Sequence, residues 1–456
     1  MEVFFGAIAV VARELALFAG LGLLLSGIDD LAIDLFWLGR TAWRRRFVYT
    51  RHPRATVATL PPGIDGRIAL FMPAWDEGAF IGDSVRAALR TVGDRDLRLY
   101  VGIYPNDPVS RAALAAIGDE RLRVATNPRP GPTTKADCLN TLWRALVDDD
   151  VARGERSIAV VLHDAEDRLH RDELAVYRAM LGRFDFVQLP VMPLINRHSP
   201  FLEGHYADEF AESHGKEMCV RDALGGGIPA AGVGCAFRCG TLERIATARA
   251  GLPFDASSLV EDYELGLRLA EIGARRAFVR VRDRDGKALV AVHSAFPTTV
   301  VTAVRQKSRW IAGIALAGWD RLGWRGGFAE RWFRLHDRKA LIAALLLLAA
   351  YVDTLLMGVL AVGNLVWDVP MPPLGPVLDR LLLACSLLLM WRIVMRVTFS
   401  WRQYGAVQGL LAIPRVLVSN LIAILAVRRA VDVYRRARRD GVVRWDKTQN
   451  RFAAAE

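Results

Sequence analysis

The stretch IAVVLHDAED, residues 158–167, decides how this chain folds. Its first five residues are apolar and three of them are β-branched, which is typical of a strand buried inside a sheet. A cluster of acids follows without any intervening linker. Since ligands of open α/β sheets bind beyond the carboxyl ends of the strands, this stretch predicts a strand that delivers acidic side chains to a binding crevice.

The pattern repeats on both sides of this stretch. Three further apolar runs read as strands: RIALFMP (67–73), LRLYVGIYP (97–105) and DFVQLPVMP (185–193). Helical periodicity separates them, at residues 80–92, 109–117, 135–148 and 171–182. Strands that alternate with helices predict an α/β domain with a largely parallel sheet and helices on both of its faces.

The two ends of the chain are apolar, in a sequence of 456 residues that is 52% hydrophobic and carries a net charge of +11. Three runs are long enough to cross a bilayer: 3–25, 340–366 and 380–399. A fourth run, 405–427, is interrupted by Pro414 and Arg415.

The five cysteines form no CxxC pair, which favours reduced thiols over a disulfide or a zinc site.

Arginines indicate the orientation of these segments. Six of them lie between residues 40 and 54, where no acid occurs, and the tail beyond 427 is equally basic. The loop 367–379 has no Lys or Arg. By the positive-inside rule both basic regions are cytoplasmic, so 405–438 is expected to form interfacial or re-entrant helices. Because the tail arginines adjoin a membrane segment, we expect them to face lipid and not nucleic acid.

The acids of HDAED suit a hard divalent cation such as Mg²⁺ or Mn²⁺. Asp164 and Glu166 are two residues apart, so on an extended chain they point to the same side. Asp167 is a competing ligand if the chain turns there. The structural alternative is a solvated acidic turn that caps the next helix.

Two later segments also carry reactive side chains. VEDYELGLRL (260–269) places Glu261 and Asp262 at a helix start, as a general base or simply as acids favoured by the helix dipole. In QKSRWIAG (306–313), Gln306, Arg309 and Trp310 share a helix face. They would bind a sugar or a diphosphate, or else form an ordinary amphipathic helix at the membrane surface. The glycine-rich run 224–237 is either backbone that lies close to a sugar or an ordinary loop.

The order of these motifs resembles that of the membrane-bound family-2 glycosyltransferases, the group that includes cellulose and hyaluronan synthases. The resemblance covers residues 63–313. The motifs that carry it are FMPAWDE (71–77), YPND (104–107), GPTTKADCLN (131–140), HDAED, VEDYELGLRL and QKSRW. SGIDDL (26–31) and RWDKT (444–448) make the chain similar, within that family, to the bacteriophage adsorption protein B type.

This resemblance implies a role for each matching residue. Asp76, Glu77, Asp107 and Lys135 would bind the nucleotide, together with Asp164. HDAED would be the metal motif, usually written DxD, and its second acid stays open between Glu166 and Asp167. Asp262 would activate the acceptor. Gln306, Arg309 and Trp310 would meet the acceptor and the leaving diphosphate.

The resemblance further implies an inverting transferase of GT-A type, Rossmann-like in fold, in the bacterial inner membrane with its catalytic domain in the cytoplasm. Its donor would be a UDP-sugar and its acceptor a polysaccharide for export. Export or regulatory proteins would be further partners. The alternatives are transfer of a single sugar to polyprenyl phosphate, and a membrane receptor with a degenerate transferase domain. The predicted regions are an N-terminal transmembrane and interfacial segment (1–38), a basic linker (39–62), the transferase domain (63–335) and a C-terminal membrane region (336–456).

Overall fold

The strand predicted at 158–162 lies at the centre of a seven-stranded sheet. The structure is a computed structural model, and it describes residues 2–93, 96–371 and 373–440. The strands are β1 (Ile68–Pro73), β2 (Leu97–Ile103), β3 (Leu122–Thr126), β4 (Ala159–Leu162), β5 (Phe186–Gln188), β6 (Val191–Pro193), β7 (Cys235–Arg238), β8 (Arg276–Phe278) and β9 (Val292–Ser294). The order in the sheet is β3-β2-β1-β4-β7-β5-β8, and β6 pairs with β9 in a separate two-stranded sheet.

The helices of the soluble part separate these strands along the chain. They are α2 (Ile81–Thr91), α3 (Pro108–Ala115), α4 (Lys135–Arg153), α5 (Glu173–Leu181), α6 (Leu202–Glu212), α7 (Met218–Ala223), α8 (Cys239–Thr247), α9 (Glu261–Glu271), α10 (Val300–Ile311), α11 (Gly318–Leu322) and α12 (Phe328–Arg338). Every strand and helix predicted between residues 67 and 182 is present, with small shifts at the ends. The α/β GT-A-type fold, Rossmann-like in its first half, is confirmed.

The sheet is largely parallel, as predicted, but two of its features were not predicted. The sheet is mixed, because β7 runs antiparallel between β4 and β5. The single strand predicted at 185–193 is divided at Leu189 and Pro190 into β5 and β6, which belong to different sheets. Proline lacks the N–H that a central strand must donate, so the pairing of β5 cannot continue through Pro190.

The core lies on both faces of the sheet, because alternate residues of each strand point to opposite sides. On β1, Ile68, Leu70 and Met72 belong to the cluster on one face. Ala69 and Phe71 belong to the cluster on the other face. This burial on both faces explains why the strands read as continuous apolar runs.

Four long helices form the apolar part: α1 (Glu2–Trp43), α13 (Ala340–Trp367), α14 (Pro376–Tyr404) and α15 (Ala406–Asp440). Among the described residues, these four are long and apolar enough to cross a membrane, by length and composition. Phe5 contacts Trp367, with ring centroids 6.1 Å apart, and Cys385 donates to the Gly20 carbonyl. The start of α1 and the loop 367–379 therefore lie at the same end of the helix bundle.

The opposite end of the bundle is joined to the sheet domain by charged groups. Asp29 of α1 accepts from Trp332 at 2.6 Å and pairs with Lys339 at 2.7 Å. Arg392 pairs with Asp30 at 2.9 Å, and Lys216 pairs with Asp34. Residues 26–38 thus continue the axis of α1 without a break, and their acids dock the helix on the domain.

Two of the predicted region boundaries fall inside helices and not between elements. Position 38 lies inside α1 and position 335 lies inside α12. Residues 405–438, expected as several interfacial or re-entrant helices, form one helix, α15, that accommodates Pro414. RWDKT and the basic tail beyond 440 lie outside the described residues.

Candidate active site

The carboxyl ends of β1, β2 and β4 meet at one edge of the sheet, because these strands are parallel neighbours. The loop after β1 and the loop after β2 are joined there. The Asp76 N–H donates to the Asp107 carboxylate at 2.9 Å. Asp107 also caps α3 by accepting from the Ser110 N–H at 3.1 Å. Asp76 adopts a positive φ of 58°, which turns the chain sharply away from the strand.

A third loop, residues 131–134, is fixed against the same edge. Asn106 donates to the Gly131 carbonyl at 2.9 Å and accepts from the Gly131 N–H at 2.8 Å. Thr134 then caps α4 by accepting from the Asp137 N–H at 3.1 Å. Lys135 is the first residue of α4, so this cap determines where its ammonium group lies.

A cavity of about 100 Å³ opens beside Lys135. Its wall contains eight of the residues that the sequence singled out, drawn from motifs spread over 176 positions of the chain. These are Lys135, Asp164, Glu166, Glu261, Asp262, Gln306, Arg309 and Trp310. Asp76, Glu77, Asp107 and Asp167 lie outside its lining.

The acids of the HDAED turn lie in two different surroundings. Asp164 and Glu166 line the cavity. Asp167 is turned into the protein, where its carboxylate accepts from the Asp164 N–H at 2.8 Å and lies 3.3 Å from His163. His163 in turn lies 2.7 Å from the buried Glu173. Asp167 therefore shapes the turn, while Asp164 and Glu166 face the space where a ligand would bind.

Lys135 balances the negative charge of the cavity. Its ammonium nitrogen lies 2.6 Å from the Asp164 carboxylate. Burial acts to lower the pKa of Lys135, but the carboxylates of Asp164, Glu261 and Asp262 together raise it above its ordinary value. The side chain is thus held as an ammonium group at the bottom of an acidic cavity.

Both acids of the VEDYELGLRL motif, Glu261 and Asp262, line the cavity. They are the first two residues of α9. Asp262 accepts from the Tyr263 N–H at 2.7 Å, and burial raises its pKa against the opposing effect of Lys135. Burial and the neighbouring Asp262 also raise the pKa of Glu261.

Gly232 forms the floor beneath Asp262. It has φ +75°, and a Cβ atom built there would lie 2.2 Å from an Asp262 carboxylate oxygen and 3.3 Å from the Lys135 nitrogen. Only glycine allows the backbone to come so close to both charged groups. The glycine-rich run 224–237 therefore does bring its backbone to the cavity wall.

Helix α10 closes the cavity from the side of the apolar helices. Gln306 is 8% exposed, and its amide oxygen has no hydrogen-bond partner among the described residues. Trp310 packs edge-on against Tyr206, with ring centroids 6.1 Å apart. A buried carbonyl oxygen without a partner is costly, so the oxygen of Gln306 is suited to accept a bond from a ligand.

The apolar wall of the cavity was missed by the sequence reasoning. Val191, Phe210 and Phe296 stand on β6, on α6 and before α10. No motif marks these residues, since they come from segments with ordinary apolar composition. They border Trp310 and leave one side of the cavity without charge.

A second group of potential metal ligands lies far from this cavity. Asp29, Asp30 and His336 offer ligand atoms within 4.8 Å of one another. Lys339 already binds both of these carboxylates. This group is therefore an ion-pair cluster that docks α1 on the domain.

A Rossmann-like mixed sheet with acids at the strand ends, and a helix that begins with two carboxylates opposite them, has the architecture of the GT-A fold. Residues 159–367 match the family model described as Glycosyl transferase family group 2. This match covers 209 of the 456 residues, so this part of the chain is similar to family-2 glycosyltransferases.

Two curated relatives match almost the whole chain. Bacteriophage adsorption protein B of Escherichia coli (strain K12) and bacteriophage N4 adsorption protein B of Escherichia coli O157:H7 are each 34% identical to it over 450 residues. These alignments cover 94% of this chain and 60% of each relative, so the chain spans about three fifths of their length. The resemblance to the adsorption protein B type is confirmed at this level.

Among solved structures, one similar protein is the mannosyltransferase PcManGT from Pyrobaculum calidifontis, in complex with GDP-Man and Mn²⁺. It is 17% identical, with a TM-score of 0.47, and the match covers 88% of this chain and 99% of that one.

Proposed function

We propose that this chain is an inverting, divalent-metal-dependent glycosyltransferase that moves a sugar from a UDP-sugar to a growing polysaccharide for export. The observation that carries the proposal is the single cavity in which Lys135, Asp164, Asp262 and Arg309 meet. Two of these side chains are acids and two are cations. Such a set can hold a charged donor and remove a proton from an acceptor.

Asp262 is the proposed base. The acceptor hydroxyl is a weak nucleophile, so its proton has to leave as its oxygen attacks the anomeric carbon of the sugar. The Asp262 carboxylate takes that proton, the new C–O bond forms, and the bond to the diphosphate breaks on the opposite face. A single displacement of this kind inverts the anomeric centre, and a base typically contributes roughly 10²–10⁴-fold to the rate.

Asp164 and Glu166 are the proposed metal ligands. Both are carboxylates on the cavity wall, and Mg²⁺ or Mn²⁺ is usually held by one or two carboxylates together with substrate phosphates. The residues present therefore fit such an ion. When bound, it would offset the negative charge that develops on the leaving diphosphate. Lys135, already 2.6 Å from Asp164, supplies a second positive charge at the same place.

The rest of the donor would extend away from the cavity. At about 100 Å³ the cavity is smaller than the roughly 300 Å³ of the smallest typical ligand sites, so a complete nucleotide sugar would extend beyond it. The neighbouring loops, joined through Asp76 and Asp107 at the same sheet edge, are the proposed nucleotide site. Glu77, buried where the chain turns after β1, would support that site.

The acceptor is proposed to enter along the apolar wall. Trp310 offers a ring face for stacking on a sugar, and Phe296 stands beside it on the cavity wall. Arg309 and Gln306 would then contact the acceptor and the diphosphate. Helix α10 packs against α15, so an elongating product would leave close to the apolar helices.

The test is to incubate the purified chain in lipid with a panel of nucleotide sugars while the release of nucleotide diphosphate is measured. We expect release with a UDP-sugar, a product that grows in length, and an inverted anomeric configuration by NMR. A product that carries one sugar and extracts into organic solvent would indicate a polyprenyl phosphate acceptor instead. No release with any donor would contradict the enzymatic proposal and favour the receptor alternative.

A further inference from the structure

A second cavity lies between α13 and α15, away from the active site. Its volume is about 330 Å³, within the roughly 300–1,000 Å³ range of small-molecule sites. Most of its lining is apolar, and three charged side chains stand at its rim. The lining residues are Ala344, Leu345, Leu348, Ile424, Val427, Arg428, Val431, Asp432 and Arg435.

The position of this groove along α13 is close to the helix start. Leu348 is eight residues beyond Ala340, a rise of about 12 Å at 1.5 Å per residue. One turn further along α13, the Tyr351 hydroxyl accepts a hydrogen bond from Asn420 of α15 at 3.0 Å, which holds α13 and α15 together. At the other end of the groove, just before α13 begins, Lys339 binds Asp29 and Asp30 of α1 at the junction with the sheet domain. The groove therefore lies at the depth of one leaflet, on the side of the catalytic domain.

The rim of the groove is positively charged. Arg428 and Arg435 are both exposed. Within the described residues neither of them forms an ion pair or a hydrogen bond. Asp432 stands between them, so the rim keeps a net positive charge. Guanidinium groups bind phosphate well, because their N–H donors match its oxygens in a bidentate manner.

We propose that this groove binds an anionic phospholipid, with an acyl chain along the apolar lining and the headgroup phosphate on Arg428 and Arg435. The apolar part and the cationic rim are arranged as the two parts of such a lipid require. A juxtamembrane arginine gains energy from anionic lipid, whereas a zwitterionic headgroup offers no net charge to attract it. The proposal does not depend on which sugar the enzyme transfers.

The bound lipid would also act on the active site through α15. Val418 and Ile422, earlier on the same helix, pack in the cluster that contains Trp310. A lipid that fills the groove would hold α15 in place and with it the wall of α10. Activity is therefore expected to rise when anionic lipid is supplied.

The experiment uses the full chain, purified in mild detergent and supplied with phosphatidylglycerol or phosphatidylcholine, with native mass spectrometry to count retained lipid. The variant R428Q/R435Q removes the rim charge, and A344F fills the groove while keeping that charge. In both variants we expect retention of phosphatidylglycerol to fall by at least about tenfold, and phosphatidylcholine to bind weakly throughout.

The matched control is R436Q/R438Q, which removes the same charge from exposed arginines of α15 that do not line the groove. It should retain phosphatidylglycerol like the wild type. Equal loss in the control pair, or equal retention of both lipids, would overturn the proposal in favour of a general surface attraction. If A344F unfolds at lower temperature than the wild type, R428Q/R435Q decides alone, since its substitutions lie on the surface.

Discussion

At the scale of single residues, two adjacent carboxylates compete for the role of base. Glu261 and Asp262 both line the cavity, and burial raises the pKa of each. They differ in their surroundings. An oxygen of the Asp262 carboxylate lies 2.2 Å from the position that a Cβ atom would take at Gly232, so glycine at this position leaves room for the carboxylate. This placement favours Asp262 as the base.

Asp262→Asn should leave donor binding almost unchanged and lower transfer by roughly 10²-fold or more, because the amide cannot accept a proton. Glu261→Gln should cause a smaller loss. Steady-state rates, measured with the nucleotide sugar that proves active in the donor panel, report on transfer. Calorimetry with the same nucleotide sugar reports on donor binding. Transfer near the wild-type rate in Asp262→Asn would move the assignment to Glu261.

Gly232→Ala should abolish transfer, because its Cβ atom would lie 2.2 Å from the Asp262 carboxylate. Gly225→Ala is the matched control: its φ of +72° is nearly the same, but nothing lies within 4 Å of its Cβ position. Both variants should lose about 1–2 kcal/mol of stability from the left-handed backbone. Only Gly232→Ala should lose activity, and equal activity losses would show that backbone strain alone is responsible.

Removal of divalent metal should stop transfer, and Asp164→Ala should do the same. Glu166→Gln should weaken the dependence on Mn²⁺, since it removes a cavity-lining carboxylate. Asp167→Asn should chiefly lower the unfolding temperature, because Asp167 holds the Asp164 N–H inside the turn. Activity titrations with Mn²⁺ and thermal unfolding measure the two effects. Full activity in excess chelator would contradict the metal proposal.

At the scale of elements, the relation between α15 and the sheet domain is decided by buried charge. Arg415 is fully buried and lies 3.3 Å from Asp208 of α6, which is also buried. It also donates to the Pro200 carbonyl at 2.8 Å. Further along, Ser419 donates to Glu209 and Tyr434 to Asp320. These contacts hold α15 against the catalytic domain from Arg415 to Tyr434.

Arg415→Leu should destabilise the protein by roughly 3–5 kcal/mol, because it leaves the Asp208 carboxylate buried without its partner. Adding Asp208→Asn should recover part of this loss, since the unpaired charge is then gone. Unfolding in detergent, followed for the wild type, both single variants and the double variant, gives the coupling between them. Strictly additive losses would mean that the pair does not hold α15 to α6.

At the scale of the whole molecule, the packing of α1 against α13 and α14 supports the proposed topology. The start of α1 and the loop 367–379 share one end of the bundle, while Asp29, Asp30 and Lys339 occupy the other end beside the catalytic domain. A reporter that is active only outside the cytoplasm should therefore be active when inserted at Leu374 and inactive when fused after Glu456. Activity at Glu456 would mean that α15 crosses the membrane.

The sequence alone determined the local elements and the chemistry they carry. The apolar runs at 67–73 and 158–162 could be read directly, because a strand buried on both faces needs apolar residues throughout. The acids of HDAED were recognisable for the same reason, since charge that follows such a strand directly has to emerge at the sheet edge. The order of the motifs along the chain then indicated the family, and the family resemblance implied a role for each motif.

Only the tertiary structure decided how these elements combine. It separated Glu166 from Asp167, because the turn after β4 buries one carboxylate under His163 and leaves the other on the cavity wall. It inserted the antiparallel β7, brought Glu261 as well as Asp262 to the cavity wall and built an apolar wall from Phe210 and Phe296. These features depend on contacts between residues distant in the chain, and local periodicity contains no information about such contacts.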